Sequence, residues 1–411
     1  MMRNAGELNS VIDEYIASST GPLAGFVVAD FGRVLAAPYS TMLLGDLGAT
    51  IIKIEAPSGD ETRWWQPPVY QGESTYYLSI NRNKFNIQLD LRDPADLATA
   101  RAILARADVM VDNFKPGGLE KLGLGHDDVR REFPHLIVAS VTGFGETGGK
   151  DLPGYDLLVQ AASGHMHITG DVDTEPYRAG IAMFDVMTGL HLTIGIVSAL
   201  LDRERHGNGQ RISTNLMATA LSCMANQTGA AALTGASPMR MGNEHPSIYP
   251  YAPFETSDGR IVLAVGNDRQ YVLLCDLLER PDLATDRRFA AAKDRSNNRA
   301  QLEPLLTEIL QQRTTQEWFD LLSPAGIPCG PINDVLGGLK FAESLGLDPV
   351  TQVGEGERRF ATVRNPVNYS EYDLQYRLAP PQLDEHRDAI LAWAGQSSAT
   401  QEAPVPSGAN A

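Results

Sequence analysis

Two carboxylates in this chain are placed for chemistry. Asp185 precedes Val186-Met187-Thr188-Gly189 and the apolar run Leu190–Leu200, so it falls at the start of a helix. Asp156 comes directly after Pro153-Gly154-Tyr155 and heads a shorter apolar segment. With a reference pKa near 3.9, such a group is already ionised at pH 7. It attacks an electrophile without a partner base, which a serine would need. The helix dipole at Asp185 favours the anion by about 0.5 kcal/mol. On residue chemistry alone both have a plainer reading, Asp185 as a cap of its own helix and Asp156 as a cap of a Leu157–Ala162 helix. A second set is cationic. Arg33, Lys53, Arg82, Lys84 and Lys115 fall at or just beyond the ends of predicted strands, where they suit a ligand bearing phosphates.

One motif points elsewhere. Gly143-Phe144-Gly145-Glu146-Thr147-Gly148 matches the dinucleotide fingerprint G-x-G-x-x-G and comes after a predicted strand. The fingerprint also requires a helix opening on its last glycine, but Pro153 and Gly154 interrupt any helix there. The first strand, where the motif belongs, runs instead into Phe31-Gly32-Arg33-Val34-Leu35. The stretch is therefore read as a ligand-facing loop at a strand's carboxyl end, not as a nicotinamide or flavin cradle.

Composition narrows the classes. The chain has 411 residues, 43% apolar and 21% charged, with a formal net charge of −17. That length supports two domains, and that charge argues against nucleic-acid or anionic-membrane partners. Cys223, Cys275 and Cys329 are too few and too scattered for a disulfide framework or a zinc site; they read as buried thiols of a cytoplasmic protein. The N-terminus lacks the apolar run of a signal peptide, no stretch approaches 18 uninterrupted apolar residues, and no metal site is expected.

The elements that must position these groups alternate. Strands are predicted at Phe26–Asp30, Thr50–Glu55, Ile87–Leu91, Asp108–Asp112 and Leu136–Val141, and Gly207-Asn208-Gly209 turns the chain into Arg211–Met217. Helices are predicted at Ala36–Leu47, Pro94–Arg106 and Gly189–Arg203. Such alternation implies a parallel sheet covered on both faces. A second unit has a strand at Arg260–Val265 and helices at Tyr271–Leu278 and Gln301–Leu322. Pro328-Cys329-Gly330-Pro331 marks a return. The expected organisation is an extension over 1–20, a large domain of 21–225 plus 335–395, a small domain of 226–334 and a disordered Ser/Ala/Pro-rich tail of 396–411.

Six stretches taken in order narrow the reading further. They are Arg33–Ala49, Asn81-Arg82-Asn83-Lys84, Asp112–Gly117, Pro153–Asp156, Asp185–Gly189 and Met241–Pro246. In this order and spacing, over roughly 22–370, the chain resembles the class III CoA-transferases. That family includes formyl-CoA and carnitine CoA-transferases and the α-methylacyl-CoA racemases. The resemblance implies an α/β fold, with a Rossmann-like parallel-sheet large domain, an inserted smaller α+β domain and an interlocked homodimer. It implies an enzyme that moves CoA from an acyl-CoA to a carboxylic acid through an aspartyl anhydride, with no tightly bound cofactor and the CoA thioester as substrate.

Residue by residue, the resemblance gives Asp185 the role of nucleophile and Asp156 that of a neighbouring carboxylate that orients or tunes it. Tyr155 stands where racemases carry a histidine base. A tyrosine, with a reference pKa near 10, is a poor base, which weakens the alternative of a 2-methylacyl-CoA racemase. A CoA-binding protein without catalysis is the other alternative. Arg33, Val34, Lys84, Asn113, Phe114 and Lys115 are expected to border CoA. Gly242, Asn243, Glu244 and His245 match the glycine-rich loop that covers the intermediate on the acceptor side, although only one glycine is present here.

Overall fold

The computed structural model describes residues 10–395, so the tail expected over 396–411 lies outside the described residues. The chain divides into two units. Among the described residues the first comprises 10–163, 180–225 and 348–395, and the second 164–179 and 226–347. The large domain thus resumes at Asp348 rather than at 335. The helix Val335–Ser344 stays with the second unit, where Phe341 meets Phe319 edge-on at 6.0 Å. The excursion 164–179 left no mark in the composition.

In the first unit six strands form one sheet: β1 Val27–Asp30, β2 Thr50–Glu55, β3 Lys84–Gln88, β4 Val109–Asp112, β5 Ile137–Thr142 and β6 Arg211–Asn215. Their order is β3-β2-β1-β4-β5-β6, and every neighbouring pair is parallel. This is the doubly wound order, in which the chain reverses direction between β1 and β4. Side chains alternate between two cores. Val27, Ala29, Ile52, Met110 and Val138 face one, with Ile103, Ile390 and Trp393; Val28, Ile51, Val109, Val111 and Ala139 face the other, with Leu44, Leu192 and Ile196. A sheet buried on both faces needs such nearly continuous apolar strands.

The Met183–His206 helix begins six residues earlier than the apolar run predicted, which places Asp185 inside its first turn. It packs against the Ala36–Asp46 helix at Gly189, where an added Cβ would lie 2.7 Å from the Ala36 carbonyl oxygen. Its length and composition would let it cross a membrane, a property that the count of uninterrupted apolar residues did not anticipate. One face nevertheless belongs to the core, through Phe184, Leu192, Ile196 and Leu200. The stretch after the Gly207–Gly209 turn is a strand as far as Asn215, whose side chain accepts the Ala218 amide at 2.7 Å and caps a Leu216–Cys223 helix.

The second unit has a three-stranded antiparallel sheet, Tyr251–Glu255, Arg260–Ala264 and Cys329–Pro331, under helices that share one apolar core. Arg295 is buried there. Its guanidinium donates to the carbonyls of Tyr249, Phe289 and Ala290 and pairs with Asp268 at 2.7 Å.

Candidate active site

A cavity of about 300 Å³ opens at the carboxyl ends of β1, β4 and β5, at the point where the sheet reverses direction. Ligands of open α/β sheets bind at such a point, because adjacent loops there leave in opposite directions and part. Its walls include Arg33–Ala36, Asn113–Lys115, Thr142–Gly145, Tyr155 and Asp185. The glycine-rich stretch after β5 is thus a wall of this cavity, and its glycines serve chain crossing. A Cβ on Gly143 would sit 2.3 Å from Gly154 Cα, and one on Gly149 would sit 2.2 Å from the Phe144 carbonyl oxygen. The next helix starts only at Asp156, so nothing here cradles a pyrophosphate in the dinucleotide manner.

The two carboxylates meet. Asp156 Oδ1 accepts the backbone amides of Phe184 at 2.7 Å and Asp185 at 3.1 Å, so Asp156 caps the helix that carries Asp185 rather than its own. Its other oxygen accepts a bond from the Gln160 amide. Burial, and then the charge of Asp156, push the Asp185 carboxyl from 3.8 up to about 7. That correction to a fully ionised Asp185 disfavours the anion by on the order of 4 kcal/mol, far more than the ~0.5 kcal/mol the helix dipole returns. At neutral pH the group is half ionised and poorly solvated. Tyr76 was not found from sequence, since nothing in the spacing of Thr75–Ile80 marks it. Its hydroxyl is pushed up to about 12 by burial and by the charges of Asp185 and Asp156, so it stays protonated near them. Tyr155 is largely exposed at the cavity mouth.

The cationic residues separate into two groups. Arg33 and Lys115 are exposed at the cavity. Arg33 pairs with Glu61 at 3.1 Å, but both side chains are about half exposed, at 49% and 46%. A pair of that kind contributes about 0–1 kcal/mol and leaves Arg33 free to turn to another anion. Its guanidinium also lies 5.9 Å from the centre of the Phe114 ring. Lys150, which sequence reasoning passed over inside the punctuated loop, is a further exposed cation in the wall.

Lys84 corrects the expectation. It is fully buried, and its ammonium donates to Asp30 at 3.1 Å, the Pro38 carbonyl at 2.9 Å and Asn81 at 3.0 Å. All three donors are used, so Lys84 has none for CoA; burial also lowers its pKa to about 8. Lys53 and Arg82 are buried likewise, on Asp60 at 3.0 Å and Asp46 at 2.6 Å.

Side chains hold the loop after β1 almost atom by atom. Asp30 accepts the Gly32 amide at 2.8 Å, and Lys53 donates to the Gly32 carbonyl at 2.7 Å. Asn113 accepts the Arg33 amide at 3.0 Å and donates to the Arg33 carbonyl at 2.7 Å. Asp60 Oδ1 accepts the Val34 amide at 3.2 Å. Val34 has φ +66°, a left-handed conformation that costs a β-branched residue roughly 1–3 kcal/mol.

The Gly242–His245 turn belongs to the second unit. Gly242 has φ +59°, and a Cβ there would lie 2.5 Å from Asp171 Oδ1, so this single glycine is required by the turn. Glu244 is engaged by Arg299 at 2.6 Å, and His245 Nδ1 accepts the Ser247 amide at 3.1 Å. Asn243 follows Gly242 in the same turn.

The comparisons with known proteins agree with this geometry. The model of CoA-transferase family III matches residues 23–387. The chain belongs to that family. It is similar to the succinyl-CoA:glutarate CoA-transferase of Mus musculus, 39% identical over 91% of this chain and 86% of that one. It is also similar to the succinate–glutarate CoA-transferase of Agrobacterium fabrum, 37% identical over 90% and 95% of the two chains. A solved CAIB/BAIF family protein from Brucella suis superposes with a TM-score of 0.82 at 39% identity, covering 91% of this chain and 99% of its own. The chain is accordingly a family III CoA-transferase, an enzyme that transfers CoA between an acyl-CoA and a carboxylic acid.

Proposed function

We propose that Asp185 is the nucleophile and that the acids exchanged are short dicarboxylates. The carboxylate of Asp185 attacks the thioester carbonyl; the C–S bond breaks, CoA leaves as thiolate and an aspartyl anhydride remains. The thiolate then attacks the aspartyl carbonyl, releasing the donor acid and leaving an aspartyl–CoA thioester. The acceptor carboxylate attacks that thioester, and the returning thiolate cleaves the second anhydride on the acceptor side to regenerate Asp185. The observation that carries this reading is the placement of Asp185 in the cavity wall, half-buried and with no cation among the influences on its titration. A poorly solvated carboxylate gives up little hydration on attack.

Asp156 positions the helix that bears the nucleophile. Arg33, Lys115 and Lys150 are suited to the phosphates of CoA, Asn113 and Val34 border it, and Phe114 offers a ring for packing. Tyr155 lines the mouth rather than serving as a base. The acceptor side is assigned to the Gly242–His245 turn by the resemblance alone. The dicarboxylate reading rests on the likeness to the succinate–glutarate CoA-transferases. Its test is CoA exchange with succinyl-CoA as donor against a panel of mono- and dicarboxylic acids. Faster turnover with glutarate than with a monocarboxylate of similar length is expected, and the reverse order overturns the substrate class.

A homodimer belongs to the same reading. Leu190, Ile194, Val197 and Leu201 recur at four- and three-residue steps on the Met183–His206 helix and are all exposed. Such a stripe needs a partner surface. Sedimentation at micromolar concentration is expected to show a dimer, and a monomer there would remove the assignment. Cytoplasmic location is proposed from the cysteines, which are free thiols.

A further inference from the structure

We propose that Asp60, together with Lys53, is a positioning residue for CoA binding, acting through the backbone of Val34. The inference rests on the reading of the cavity as the CoA site. Asp60 lies outside the cavity wall. It is 3% exposed, and its two oxygens join four partners. Oδ2 accepts Lys53 Nζ at 3.0 Å; Oδ1 accepts the amides of Val34 at 3.2 Å and Thr62 at 3.0 Å, and the Thr62 hydroxyl at 2.8 Å. Lys53, itself fully buried, passes the restraint on to the Gly32 carbonyl at 2.7 Å.

A valine at φ +66° does not persist unless its surroundings over-determine it. Here the Val34 amide is tied to Asp60, while Lys53 and Asn113 fix the two residues before it. The left-handed turn at Val34 sets the path of the chain into the Ala36–Asp46 helix. That helix has no side-chain cap at Leu35, and its first residues line the cavity. Releasing the turn would withdraw this wall and its amides from the phosphates and pantetheine of CoA, while leaving Asp185, on another element, in place. The device therefore controls affinity for CoA and not the rate of the bond-breaking step.

The test uses the full chain, with free CoA as the titrant in calorimetry and succinyl-CoA in turnover. Asp60→Ala is expected to weaken CoA binding and raise the KM for succinyl-CoA by about tenfold or more, with kcat within about threefold of wild type. Adding Val34→Gly, which adopts the left-handed conformation without strain, is expected to bring affinity to within about threefold of the Val34→Gly single variant, the reference that accounts for the lost valine side chain in the wall. If Asp60→Ala does not fold, Lys53→Met/Asp60→Leu removes both buried charges together and keeps an apolar core, and Val34→Gly is added to that background. Unchanged CoA affinity in the variants that lack the Asp60 carboxylate overturns the proposal. So does a loss that Val34→Gly fails to repair, or a loss that falls on kcat. Wild-type protein that binds no CoA overturns the reading of the cavity instead.

Discussion

Two buried charged clusters in the first unit are built on opposite rules. Around Asp30, Lys53, Asp60 and Lys84 every charge faces an opposite one at about hydrogen-bond distance, at 3.0 Å for Lys53–Asp60 and 3.1 Å for Lys84–Asp30. At Asp156 and Asp185 two like charges are brought together, and the nearest relief is from amides and a carboxamide. In the first arrangement the Lys53–Asp60 pair holds Lys53 above and Asp60 below its ordinary value, although burial lowers Lys84, whose three donors are all engaged. In the second, burial and then the charge of Asp156 make ionisation expensive and push the Asp185 carboxyl up to about 7. Matched charges here hold a loop still, whereas burial beside a like charge keeps the proposed nucleophile poorly solvated.

The contrast breaks most visibly at its reactive end. Asp185→Asn is expected to lower CoA transfer by about a thousandfold or more, since covalent catalysis depends on that oxygen. The same change is expected to raise the thermal midpoint. A carboxyl raised from 3.8 to about 7 contributes its stability below the unfolded value, and that contribution is lost as pH rises through the folded one. The gain of the variant over wild type should therefore be slight near pH 4, grow between about pH 4 and pH 7, and level off above. Thermal denaturation across that range checks it, and a gain that shrinks with rising pH would refute the assignment of a raised pKa.

The matched cluster should fail differently. Lys84→Met leaves Asp30 buried without its ammonium and is expected to destabilise the fold by about 3–5 kcal/mol in denaturant titration. The protein that remains folded should keep its CoA affinity, because Lys84 has no donor to spare. Lys115→Ala is the converse: an expected fivefold or so rise in KM for the acyl-CoA with an unchanged thermal midpoint. If Lys84→Met impaired CoA binding in folded protein and Lys115→Ala did not, the sorting of cations would be reversed.

A finer change sharpens the like-charge pair. Asp156→Asn keeps an oxygen for the Phe184 and Asp185 amides but removes the charge. The acid limb of kcat/KM, set by ionisation of Asp185, is expected to move from near 7 toward lower pH, since a like charge no longer opposes it. A limb that stayed in place would show burial alone to be responsible.

These differences also mark what could be read from the chain. The alternation of apolar strands with helices made the covered parallel sheet legible, and the apolar run after Gly189 made the Asp185 helix legible. Both are local patterns with a fixed geometric meaning. The pairing of Asp156 with the start of that helix was legible only as an ordered motif, because its basis is a contact between separate elements. Lys84 was misread since a lysine at a strand end has the same sequence whether it faces solvent or Asp30, which lies 54 positions away. Val34 gave no signal of strain, a valine being the residue least expected at positive φ. Asp60 could not be recognised as its restraint without knowing the fold. The fold and the candidate nucleophile thus come from periodicity and motif, whereas the fate of each charge depends on long-range partners.

The central claim is that Asp185 becomes covalently acylated. The most direct measurement incubates wild type and Asp185→Asn with succinyl-CoA, traps with hydroxylamine or borohydride and locates the modified peptide by mass spectrometry. The account predicts a modification at Asp185 in wild type that is absent from the variant. Sustained CoA transfer with Asp185 unmodified under trapping, or with the variant still active, would contradict it.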